Sequence, residues 1–384
     1  MTWYRLSARL LAPLIVQRQR QANAPGNLDY LPGSTLRGAC AAHYLRWQGQ
    51  ARDEAFQRFF LEEPILFPDL LPSPSATGSA RHLPLTVVSC KRQPGFRIEG
   101  QHGMHDTLIP RAVVSLAGKP RASFFTPCPV CQNDLKGVAG MWNGDLAAPR
   151  RLQPSLFYQR HTGIDRLTGT VAQGVFYTTF AMADYQRPAG AAEWEPQYLV
   201  GTLPLSEAQA DFLSELLAAG PLYVGADRTR GYGALSVELQ PTAAPTVDLL
   251  GWHAAFTARY TALAGTDPPA GLYFSLQAAS PVILVDQLLR PVSAFTLTFP
   301  DLEQVFQIVR LQTIRGWQAA WGLPKPDDLA LAPGSVALWR YGGTDSTGLQ
   351  QYLQELTDIG LGLRREEGFG RLACCEPVHL QEVL

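Results

Sequence analysis

Apolar positions along the chain recur with two periods, and the switches between them divide it into elements. At the start, Tyr4, Leu6, Ala8 and Leu10 alternate with Arg5, Ser7 and Arg9. This is the pattern of a strand buried on one face, and it places both arginines on the other. A helix should follow Leu31-Pro32-Gly33, with Ser34 or Thr35 at its cap and Leu36, Cys40, His43, Tyr44 and Trp47 at helical spacing. Strand patterns return at 169–182 and 198–205. Next comes a helix in which Ser206 and Gln209 form a capping box, Ala208, Phe212, Leu216 and Leu217 form the apolar stripe, and Gly220 ends the run. A glycine-rich loop then leads into a strand at 234–239. The second half repeats this order, with strands at 272–284 and 335–341, a helix at 349–360, a second glycine-rich loop and a strand at 371–374.

Strand, helix, hairpin, helix, glycine loop, strand is the order of a ferredoxin-like, RRM-like βαββαβ unit. The expected fold is therefore α+β, with two such domains at 1–245 and 246–384 joined by the Pro/Ala/Thr-rich seam 239–248. The polar, Pro- and Gly-rich segment 72–150 reads as an insertion in the first.

Composition narrows the function. At 384 residues and 46% hydrophobic the chain can bury two cores. A net charge of −1 excludes a globally basic nucleic-acid binder, so any such contact must be local. Residues 1–28 hold Arg5, Arg9, Arg18 and Arg20 and no acid, and Arg far outnumbers Lys, which occurs only at 91, 119, 136 and 325. That bias suits bidentate phosphate contacts, although arginine codon choice in a GC-rich genome produces it equally. The run ending in Ala22-Asn23-Ala24 imitates a signal peptide, but arginines flank it and Pro13 breaks it. No run approaches the roughly 18 apolar residues of a membrane span. The expected location is the cytoplasm.

The two glycine loops carry the strongest local signal. In the first, Arg228 and Arg230 precede Gly231 and Gly233; in the second, Arg364 and Arg365 precede Gly368, Gly370 and Arg371. Glycine permits positive φ and close backbone approach, so exposed N–H groups could cradle phosphates while arginines neutralise them. "RGYGAL" also imitates the start of an RRM signature, but Ala234-Leu235-Ser236-Val237 supplies no aromatic, so base stacking on that strand is not expected.

With these pieces in place, the sequence resembles the CRISPR-associated RAMP superfamily, nearest to its type III-D, Csx-ten-like subunits. "LPGSTLRGACAAHYL" is similar to the family's helix start and contains Arg37. Gly225–Gly233 and Gly360–Gly370 are similar to its glycine loops. "HTGIDRLTGTVAQGVFY", 161–177, is similar to an element before a strand, and "GWQAAWGLPKP", 316–326, to a further signature. The resemblance implies a subunit at the crRNA 5′-handle end, like other Cas five-type subunits, whose partners are crRNA, the large subunit and the backbone RAMP subunits. No Gly-Gly-Asp-Asp motif of the large subunit occurs. Arg37 and Arg166 join the loop residues as RNA-contact candidates.

The segment 72–150 adds "PCPVCQNDLKG". Cys128 and Cys131 with proline between them form a knuckle suited to structural zinc, and Cys90 with His105, or His102 in its place, would complete four ligands. An unmetallated pair and a redox Cys-x-x-Cys remain alternatives. Cys40, Cys374 and Cys375 fall on regular elements and read as core thiols. A RAMP endoribonuclease using His43, or His161 with Asp165, as acid or base is the competing function. The expected reading is non-catalytic.

Overall fold

The computed structural model describes residues 1–19, 26–50, 52–119, 127–187, 192–318 and 322–384. Arg20, Ala22 to Ala24, and Ala319, Ala320 and Trp321 of the 316–326 signature lie outside the described residues. The chain forms two units, Met1–Ala80 with Leu152–Ala243, and Arg81–Arg151 with Ala244–Leu384. The segment 72–150, expected in the N-terminal domain, thus divides, and Arg81–Arg151 groups with the C-terminal half.

In the N-terminal unit a five-stranded sheet runs in the order Leu222–Tyr223, Ala234–Pro241, Thr2–Leu10, Tyr198–Leu205, Leu71–Ser73. Its pairings are antiparallel, with Thr2 opposite Leu205 and Leu10 opposite Leu235. Leu6, Ala8 and Leu10 turn inward as the alternation requires, and pack with Leu36, Cys40, Leu199, Leu213 and Leu216. Helices Gly33–Trp47 and Glu207–Ala218 supply that cover. The Ser206–Gln209 capping box is present, but the buried stripe is Ala210, Leu213 and Leu216, and Ala208 faces solvent. The first helix starts differently from expectation. Pro32 is its N-cap residue, and the Gly33 N–H is satisfied from far along the chain by Asp69 Oδ1 at 2.8 Å, not by Ser34 or Thr35. Trp47 is 45% exposed and stands off the stripe. From the same unit rises a two-stranded ribbon, Leu156–Ile164 paired with Val171–Met182.

In the C-terminal unit the main sheet runs Leu302–Ile308, Val336–Tyr341, Leu272–Ala278, Leu372–Cys374, again antiparallel. Both sheets therefore order their principal strands second, third, first, fourth, or its reverse, as a βαββαβ path does. The second departs in one respect: among the described residues no helix joins Ala278 to Leu302. Helix Leu108–Ala117, from the intervening segment, instead buries Leu108, Ile109, Ala112 and Val113 in one cluster with Trp252, Phe256 and Tyr260 of helix Leu249–Ala264 and with the sheet. That apolar face ties 81–151 to the C-terminal half.

Candidate nucleic-acid interface and metal centre

The two glycine loops have the same backbone. Position by position, Gly225, Asp227, Gly231 and Gly233 have positive φ, as do Gly362, Arg364, Gly368 and Gly370. Each loop wraps a strand extension containing Pro-x-Ile. Ala226 N donates to the Ile15 carbonyl and Gly233 N to that of Pro13; Leu363 N donates to Ile283 and Gly370 N to Pro281. A Cβ on Gly225 would sit 2.2 Å from the Ile15 oxygen, and on Gly362 2.2 Å from the Ile283 oxygen. On Gly233 and Gly370 it would meet the carbonyl oxygens of Val224 and Leu361 at 2.0 and 2.1 Å. These four glycines are required by the chain's own backbone. The Gly233 and Gly370 N–H groups, expected from the sequence to cradle phosphate, are already given to the Pro13 and Pro281 carbonyls.

The side chains of the two loops differ. In the C-terminal loop Arg364 reaches Asp328 at 2.6 Å and Glu367 at 2.7 Å, lies over the Phe369 ring at 4.8 Å, and is 18% exposed. Lys325 reaches the other Glu367 oxygen at 2.6 Å. Burial alone would raise the Glu367 pKa, but hydrogen bonds and charge from Arg364 and Lys325 outweigh it and hold the carboxyl below its usual range. Arg364 is thus spent internally, contrary to its assignment to RNA. Arg365 is half-buried, and the backbone of Arg371 bonds to Ser280, its N–H donating to the Ser280 hydroxyl. In the N-terminal loop Arg228 and Arg230 are exposed; Arg230 lies 3.8 Å from Asp227 and 3.3 Å from the Tyr177 hydroxyl.

That last contact joins the loop to the ribbon. Tyr232 of "RGYGAL" is buried with Ile15 and Ala181, against Phe157, and its hydroxyl donates to Gln159 Oε1 at 2.6 Å. Period-two alternation then turns one ribbon face, with Phe157, Gln159, His161, Tyr177 and Ala181, toward the loop. The opposite face carries Tyr158, Arg160, Phe176 and Phe180, with the aromatic side chains 59%, 64% and 39% exposed. Tyr158 and Phe180 meet edge to face. Arg166 lies exposed in the connecting turn. Sequence reasoning marked this segment and missed its aromatics, although Tyr158, Phe176 and Phe180 alternate visibly with inward positions.

The acid–base candidates do not converge. Asp165 accepts from the N–H groups of Leu167 and Thr168 and closes the ribbon turn, and those bonds lower its pKa. His161 stacks on Tyr177 at 4.7 Å, four strand residues away from Asp165, a span of roughly 13 Å. His43 is 9% exposed in the core helix, and burial depresses its pKa. Arg37, an RNA candidate, turns inward and donates to the Phe60 carbonyl at 2.6 Å.

The metal candidates do converge. Cys90, His102, Cys128 and Cys131 bring one donor atom each to within 4.8 Å of one another. Cys90 Sγ and Cys131 Sγ are 3.5 Å apart, as are Cys128 Sγ and His102 Nδ1. Zinc–sulfur bonds of about 2.3 Å in a tetrahedron call for about 3.8 Å between sulfurs, so the donor set fits zinc. Gln132, at φ +60°, closes the knuckle by donating from its N–H to the Cys128 carbonyl. Asn133 hydrogen-bonds the Cys131 sulfur and lowers that thiol to about 6. His105 is the correction: it sits within strand Met104–Asp106 opposite Val88, outside the cluster. His102 is placed by the turn at Gly103, φ +92°, which spacing alone does not disclose.

Comparison with known proteins adds the lineage. No curated protein matches the chain. Among solved structures it is similar to a chain of type III-B Cmr-beta bound to cognate target RNA, at 13% identity over 87% of this chain and 86% of that one, with a TM-score of 0.43. It is also similar to oligomeric Cmr4 from Pyrococcus furiosus, at 10% identity over 63% and 99%, with a TM-score of 0.26. The sequence model of the RAMP superfamily, however, matches residues 8–236, from the first strand through the N-terminal glycine loop. That match spans more than half of the chain, and the protein belongs to the RAMP superfamily.

Proposed function

We propose that this RAMP protein is a non-catalytic crRNA-binding subunit of a type III CRISPR effector, of the type III-D, Csx-ten-like group. In this reading it is built on two ferredoxin-like units, holds the crRNA 5′ tag, and meets the large subunit and the backbone RAMP subunits. The observation that carries the reading is the seating of the N-terminal glycine loop on the ribbon. Exposed Arg228, Arg230, Arg160 and Arg166 then share one unit with exposed Tyr158, Phe176 and Phe180. Arg160 stands on the aromatic face, Arg166 in the turn at its end, and Arg228 and Arg230 on the loop side; cations near exposed rings are what single-stranded RNA needs, charge for phosphate and rings for unstacked bases. Sequencing the RNA that copurifies with the protein from its native host tests this directly. Repeat-derived 5′ tags are expected, and a pool without them refutes the reading.

Cys90, His102, Cys128 and Cys131 hold one structural zinc in this proposal, a role supported by three thiols and an imidazole closing four positions. Elemental analysis of protein purified without added metal should give one zinc per chain, and Cys131→Ser should lose it; a ratio near zero in folded protein rejects the site. The separation of His43, His161 and Asp165 supports the absence of catalysis. The isolated subunit should leave repeat and target RNA intact, and scission abolished by His161→Ala would reinstate the endoribonuclease. No helix among the described residues is long and apolar enough to cross a membrane.

A further inference from the structure

The open face of the N-terminal sheet holds a pocket that none of the foregoing uses. Its volume is about 230 Å³, and it is lined by Ser7, Arg9 and Leu11 of the first strand and its extension, Tyr198 and Ala76 on one side, and Ser236 and Glu238 on the other. Sheet register fixes their places. Arg9 lies opposite both Tyr198 and Ser236, and Ser7 lies opposite Glu238, so the guanidinium and the carboxylate stand on diagonal positions of one face. Both are exposed, and among the described residues neither has an ion pair; Glu238 accepts only a 3.3 Å contact from the Gln240 amide. Ser7 forms the floor between them. It is 3% exposed, and its Oγ has no hydrogen-bond partner among the described residues.

We propose that this pocket receives a single guanine base of bound RNA, with Arg9 and Glu238 reading its edges and Tyr198 stacking on its face. A neutral, planar ligand suits separated opposite charges better than an ion of either sign. Among the bases, guanine alone offers two adjacent N–H donors to a carboxylate, N1 and N2, together with two acceptors, O6 and N7, to a guanidinium. Strand 234–241 has no aromatic for stacking, which argued against base recognition on this sheet. The ring comes from the neighbouring strand, beyond the first.

Guanine recognition here rests on the RNA-binding reading, and its test separates the two. The full chain is titrated with a short oligouridine carrying one guanosine, and with the same RNA carrying inosine or adenosine there. The guanosine form should bind about tenfold more tightly than the adenosine form, the scale of one good bidentate contact, with inosine between them because it lacks the N2 amine. Glu238→Gln should erase the guanosine preference and Arg9→Gln should reduce it, with circular dichroism confirming the fold. In wild type, 6-thioguanosine at that position should cross-link to the peptide containing Tyr198. Binding without base preference or that cross-link overturns the pocket and leaves RNA binding standing. Absence of binding to any of the RNAs overturns both.

Discussion

Two loops built on one backbone have been given different side chains. The N-terminal and C-terminal glycine loops share their positive-φ positions, their Pro-x-Ile strand and their glycine–carbonyl approaches, down to Cβ distances of 2.0 and 2.1 Å at Gly233 and Gly370. They part at the second left-handed position, Asp227 in one and Arg364 in the other. Arg364, Glu367, Asp328 and Lys325 lock the C-terminal loop together, whereas Arg228 and Arg230 remain on the surface beside the ribbon. The backbone is thus a structural device common to both halves, and only the N-terminal half keeps both loop arginines at the surface. An arginine in a glycine loop gains meaning from the acids around it.

The largest effect should test what is shared. Gly233→Val and Gly370→Val each force a β-branched residue into the left-handed region with its Cβ against a carbonyl oxygen. Each should cost more than about 4 kcal/mol, among the severest single substitutions, and chemical denaturation should show similar losses in both. Tolerance of either would mean that the two backbones are not equivalent.

Next comes the lock. Arg364→Ala leaves Glu367 in a largely buried place with one partner fewer, and should destabilise the protein by about 3 kcal/mol, read from the shift in denaturation midpoint. Glu367 also sets a pH window. Its folded pKa lies below the ordinary 4.5, so its stabilisation is complete above that ordinary value and is lost as pH falls through the lower folded one. Thermal melts followed from neutral pH into the acid range should fall more steeply in wild type than in Glu367→Gln. Parallel curves would remove the lock from the account. The smallest stability effect belongs to Arg228→Ala with Arg230→Ala, within about 0.5 kcal/mol for exposed side chains, checked by the same denaturation.

Much of this is legible in the sequence. Strand 198–205 is observed with the same bounds, because Tyr198–Leu205 is a short apolar run that lies inside its sheet. The Ser206–Gln209 box is readable because a capping box is local in sequence. Pairings of distant residues are not. Nothing near Gly33 announces that Asp69 will cap its helix, and nothing near Leu108 shows that its helix serves the sheet of the other half. The Cys128–Cys131 knuckle is readable from the sequence, whereas the choice of His102 over His105 depends on a glycine turn. The repeated Pro13-x-Ile15 and Pro281-x-Ile283 stand in plain sight in the sequence and explain the glycines. Charge pairing is the hardest to read, since the acids that consume Arg364 are three residues away and thirty-six residues away.

RNA affinity measured across a salt series tests the contrast between the loops most directly. Wild type is set beside Arg228→Ala/Arg230→Ala and beside Arg364→Gln, with circular dichroism confirming that each is folded. Removing one cation that neutralises a single-strand phosphate lowers the magnitude of the log–log salt slope by about 0.7. The N-terminal double variant should therefore bind more weakly, with a slope shallower by roughly 1.4 for two such cations, while Arg364→Gln keeps the wild-type slope despite its lower stability. A flattened slope in Arg364→Gln together with an unchanged one in the N-terminal variant would contradict the account.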